Sequence, residues 1–74
     1  MGALITPSPT PTIYLAVSVT NGCVYCIASH TAAARKAGMS DAMFAEVMAV
    51  TGMANETNRL VNGYRVPIDV AYNT

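Results

Sequence analysis

Between Asn21-Gly22 and Gly38 the chain carries helix start and stop signals that leave little choice of local structure. Cys23 to Ala37 contain a run of alanines, the best helix formers. They end on Arg35 and Lys36, cations that suit the negative end of the helix dipole, before Gly38 supplies a stop. Asn21 is a good N-cap because its side-chain oxygen can accept from a free first-turn amide, so the helix is expected to start there. Ser40 can cap a further helix with Asp41 in its first turn, and Met43, Phe44, Val47, Met48 and Thr51 then fall on one face. That stripe reads as core or subunit contact, since methionines at such spacing fill packing gaps far more often than they ligate a metal. Asn55, with Glu56 beside it, is expected to cap a fourth segment carrying Leu60, Val61 and Tyr64 on its buried side, with Gly63 near its end and Pro67 preventing continuation.

The chain's beginning is less regular. Pro7, Pro9 and Pro11 each lack a backbone donor and bias the preceding residue towards extended geometry, so residues 1–11 are expected to form an extended arm and residues 12–74 the folded domain. From Ile13 to Val19 apolar residues alternate with Tyr14, Ala16 and Ser18, a pattern that taken alone favours a strand.

A chain of 74 residues makes one domain at most and buries only roughly 60% of the surface its unfolded form exposes. Yet 53% of its residues are apolar and 11% charged, more apolar side chain than a monomer of this size easily places inside. Homo-oligomerisation is the usual remedy when disulfide frameworks and bound metals are lacking. Four basic residues balance four acidic ones, so no strong field draws nucleic acid or anionic lipid. The longest apolar run, near Ile13 to Val19, is far shorter than the roughly 20 residues that span a bilayer. The N-terminus lacks the positive region that opens a secretory signal, and the expected location is cytoplasmic.

The residues with chemistry are Cys23, Cys26 and His30, a C-x-x-C-x-x-x-H string at the beginning of the alanine-rich helix. At about 100° per residue, Cys26 lies about 60° and His30 about 20° from Cys23, so all three share one face. The positive end of a helix stabilises a thiolate and lowers its pKa from about 8.5. A histidine one turn beyond Cys26 can accept the thiol proton directly or through a water, and cysteines three apart can close a disulfide once one is oxidised. Two duller readings stand beside thiol redox chemistry. A structural zinc site prefers four ligands, whereas this string offers three and the chain holds no other cysteine or histidine. The second is a pair of inert, buried thiols beside a core histidine.

The stretch NGCVYCIASHTAAARKAGMSDAMFAEVMAV resembles the core of the AhpD-like alkylhydroperoxidase family, within the carboxymuconolactone decarboxylase superfamily. The resemblance rests on Asn-Gly before the first cysteine, the C-x-x-C, the histidine four later and the helix ending in R-K-A-G; it extends more loosely through NETNRLVNGYRVPID. It implies an all-α fold, a small helical core behind the N-terminal arm and completed by oligomerisation, in which Ile13 to Val19 form a buried helix rather than a strand. It also implies a thiol-dependent peroxidase acting on a small hydroperoxide and re-reduced by a dithiol. The cysteine pair would be its redox group, with no separate cofactor or metal. By the same resemblance Cys26 matches the cysteine oxidised to a sulfenic acid, Cys23 the partner that closes the disulfide, and His30 the proton-relay histidine. Family members are typically homo-oligomers, commonly trimers or assemblies of trimers such as hexamers.

Two positions depart from the family pattern. The relay usually includes a glutamate twelve residues before the first cysteine, where this chain has Pro11, and Tyr25 stands where many active members carry a polar or ionisable residue. Glu46 or Glu56, from the same or a neighbouring subunit, is the candidate replacement for the carboxylate. The loss at Pro11 keeps open a non-enzymatic oligomeric module or redox sensor. The superfamily's decarboxylase or lactone chemistry is a third reading, which does not depend on a C-x-x-C. From the apolar excess and the stripe of Met43, Phe44, Val47 and Met48, which a monomer is expected to expose as one apolar patch, the chain is expected to self-associate; sedimentation at micromolar concentration giving a mass near 7.7 kDa would overturn this.

Overall fold

The computed structural model describes residues 9–73. Three helices follow one another: α1 (Thr10–Asn21), α2 (Val24–Lys36) and α3 (Asp41–Gly63), with a short 3-10 turn at Val70–Tyr72. No strand occurs among the described residues, so the fold is all-α, and Ile13 to Val19 are helical despite their alternation. Of the expected arm, residues 1–8 lie outside the described residues. Thr10 and Pro11 instead form the first turn of α1, where proline is tolerated because an amide there has no intrahelical acceptor.

Each helix ends in the same six-residue device. The amide of Cys23 donates to the Ser18 carbonyl and that of Gly22 to Val19; Met39 and Gly38 repeat this on Ala34 and Arg35, and Val66 and Arg65 on Val61 and Asn62. This is the Schellman arrangement, which needs one residue in the left-handed region. Gly22 (φ 70°) and Gly38 (φ 110°) supply it without steric cost; at the third end Arg65 adopts φ 54°.

Two capping expectations change. Asn21 does not start α2: it is the last residue of α1, because Asn-Gly serves the left-handed turn that closes that helix, and Cys23 is the N-cap of α2. Nor does Asn55 start a fourth helix. α3 runs unbroken through Gly52 and Asn55, whose amide nitrogen donates to the Thr51 carbonyl (2.8 Å) and to Thr20 Oγ1 (3.0 Å), tying α3 to α1. Ser40 does cap α3, its hydroxyl accepting from the Met43 amide at 3.2 Å, with Asp41 in the first turn.

α1 packs against both α2 and α3. Leu15, fully buried, meets Ala34 of α2 and Met39 of the α2–α3 connection; Val19, Ile27, Met43, Phe44, Val47 and Met48 close around them. The methionine-rich stripe of α3 thus faces this chain's own core. The apolar surface left outside lies elsewhere, on Ile13 and Val17 of α1 and Val50 and Met53 of α3, so α1 is only partly buried. Leu60, Val61 and Tyr64 are also exposed, contrary to their expected burial, because no described element packs on the end of α3. Arg35 ties α2 to α3 by an ion pair to Asp41 (2.7 Å) and by lying 5.1 Å from the Phe44 ring centre. Asp41 is almost fully exposed, so the pair adds little stability. Among the described residues no helix is long and apolar enough to cross a membrane.

Leu15→Ala removes the one large side chain that is wholly enclosed among the described residues, and it should cost about 2–5 kcal/mol. Urea unfolding at fixed protein concentration measures it; an unchanged midpoint would show that Leu15 does not anchor the core.

Candidate functional site

The turn at Gly22 delivers Cys23 to the start of α2 in an extended conformation (φ −88°, ψ 100°). There its sulfur does what an N-cap oxygen ordinarily does, accepting from the Cys26 amide at 3.3 Å. Cys23 and Cys26 are joined as a disulfide with Cα atoms 5.2 Å apart. Both cysteines are half-buried, while Val24 and Tyr25 between them are about four-fifths exposed, so the sulfur pair lies at the surface of the helix start. No acidic residue occupies the first turn of α2, which leaves its positive end uncompensated beside the two sulfurs.

His30 sits one turn beyond Cys26 on α2, half-buried. Its imidazole stacks on the Tyr14 ring of α1, with centroids 4.8 Å apart and planes 15° from parallel. Among the described residues no carboxylate bonds to His30; the one ion pair joins Arg35 to Asp41. Glu46 and Glu56, the candidate replacements for the relay carboxylate, are exposed on α3 without an ion pair, and Pro11 lies in the first turn of α1. Among the described residues no three His, Cys, Asp or Glu side chains group as a metal site would require. The arrangement places a disulfide at a helix start with one imidazole a turn away.

Tyr14 escaped the sequence reading. Its signal was hidden in the ambiguous stretch, since only when Ile13 to Val19 are helical does Tyr14 become a residue of α1 that can face α2. Ser18 is the second such residue. Nearly buried, it donates its hydroxyl to the Tyr14 carbonyl (2.8 Å), while its own carbonyl accepts from the Cys23 amide.

Residues 11–69 match the Carboxymuconolactone decarboxylase family. Among solved structures, the alkylhydroperoxidase AhpD core from Rhodospirillum rubrum is similar, with 51% identity and a TM-score of 0.84 over 88% of this chain. The match spans 48% of that relative, so this chain corresponds to about half its length. No curated protein gives a significant match.

The cysteine pair should cycle. After reduction, mild peroxide should remove both thiols from alkylation and a dithiol should restore them, with little change in melting temperature because so short a loop constrains the unfolded chain weakly. Two thiols still fully reactive after peroxide would rule out redox use of the pair.

Proposed function

This chain belongs to the carboxymuconolactone decarboxylase family, and we propose that within it the chain acts as an AhpD-like thiol peroxidase that reduces a small organic hydroperoxide. The observation that carries this reading is the Cys23–Cys26 disulfide at the positive start of a helix, with His30 one turn on.

In this reading His30 takes the Cys26 thiol proton at an imidazole nitrogen, directly or through a water. The Cys26 thiolate attacks one peroxide oxygen; the O–O bond breaks, sulfur keeps that oxygen as a sulfenic acid, and the alkoxide leaves as an alcohol once His30 returns the proton. Cys23 then attacks the Cys26 sulfur, forming the disulfide and releasing water. A dithiol reductant restores both thiols by exchange and departs as its own disulfide. The amide that Cys26 offers to the Cys23 sulfur suits Cys23 to this part, because a thiolate stabilised at the helix start is both available to attack and ready to leave. A reducing compartment such as the cytoplasm would supply the dithiol. Self-association, as a trimer or hexamer, would cover the apolar residues of α1 and α3 that this chain leaves outside.

One observation favours a second reading, a redox module without peroxidase turnover: among the described residues no carboxylate bonds to His30, and the residue in the relay position is Pro11. Replacing His30 by Gln separates the two. The substitution keeps size and hydrogen bonding but removes the base, so Cys26 oxidation at neutral pH should slow by about 100-fold or less, with residual reactivity from the helix start. Rates measured against pH in both proteins decide it. Superimposable curves would leave His30 structural and the site a bare cysteine pair.

A further inference from the structure

The contact between Tyr14 and His30 has no part in the relay described above, yet among the described residues it is the one specific interaction that the histidine makes. An imidazole turns about a broad terminal torsion, and histidines that handle protons are usually held in one orientation by a hydrogen bond from one ring nitrogen to a carboxylate or carbonyl. His30 has no such bond among the described residues. It has an aromatic ring stacked on it, with centroids 4.8 Å apart and planes nearly parallel.

We propose that Tyr14 is the positioning residue of this site: its ring fixes the plane of the His30 imidazole and takes over the orienting role that a relay carboxylate would otherwise have. This extends the peroxidase reading and rests on it for its consequence in rate. A ring stacked on the face of the imidazole leaves its edge, with both nitrogens, uncovered by Tyr14 and open to proton exchange.

Tyr14 is itself well placed for this. Its carbonyl holds the Ser18 hydroxyl, and the Ser18 carbonyl holds the Cys23 amide, so one run of α1 contacts both the cysteine end and the histidine end of the site. Rotation or sliding of α1 would move both contacts together. The orienting group is the ring and not the phenol hydroxyl. Phe should therefore serve in place of Tyr, and Leu, which fills similar space without a π face, should not.

His30 is the chain's only histidine, so its ring protons are readily assigned by NMR. In the unsubstituted chain they should show an upfield ring-current displacement, retained in Tyr14→Phe and lost in Tyr14→Leu. Starting from reduced protein, Tyr14→Leu should slow Cys26 oxidation about three- to tenfold at neutral pH, and Tyr14→Phe should recover most of that loss. Absence of the displacement in the unsubstituted chain overturns the proposal even if the Leu variant fails to fold. A Phe variant as slow as Leu overturns it too, since the hydroxyl would then be the active part. If His30→Gln slows oxidation but a folded Tyr14→Leu does not, the positioning role is overturned and the base role stands. If His30→Gln has no effect on rate, the peroxidase role of His30 falls, and the ring-current displacement still decides whether Tyr14 holds the imidazole.

Discussion

The left-handed turn at Gly22 is the constraint from which the rest of the structure follows. It lets Cys23 belong to two helices at once: its amide closes α1 on the Ser18 carbonyl, and its sulfur caps α2 on the Cys26 amide. With no residue to spare between the helices, the direction of α2 is set by where α1 stops. That direction lays Ala34 against Leu15 in the core and His30 against Tyr14 at the site. Packing and chemistry therefore share one hinge, and a side chain at Gly22 would be strained by the backbone whatever room surrounds it.

What the sequence made legible was local. Gly38 and Ser40 mark the end of α2 and the start of α3 because a left-handed turn and a hydroxyl cap each act within a few residues. The C-x-x-C pair was readable for the same reason. What misled were signals with two local meanings. Asn-Gly can begin a helix or end one, and here it ends α1; Asn55 can cap a helix or tie one helix to another, and here it reaches Thr20 on α1. The alternation from Ile13 to Val19 favours a strand when taken alone; the family resemblance already made it a helix, and helix packing sets Leu15 inward and Ile13 and Val17 outward. Tyr14 could not be found in this way at all, because its importance lies in a contact with a residue sixteen positions away on another helix.

The site departs from its family pattern where proton handling is concerned. At the position of the expected glutamate stands a proline in the first turn of α1, a place where proline is structurally welcome and chemically inert. The remaining resources are the backbone amides and dipole at the start of α2, one imidazole and one aromatic face. Amides and dipoles act on the sulfur without titrating, so their effect is the same across the whole physiological pH range.

The cysteines, their histidine, the tyrosine on it and the serine that anchors the first cysteine all fall within residues 14–30. In kinetic terms this is a site of short loops. Closing a loop of this length costs little entropy, and chains dominated by such local contacts fold fastest. The helical hairpin that carries the candidate site can thus organise before the longer-range contacts of α3 with α1 are made. The thiols would then sit at a preformed helix start, inclined towards each other, while the rest of the core is still condensing.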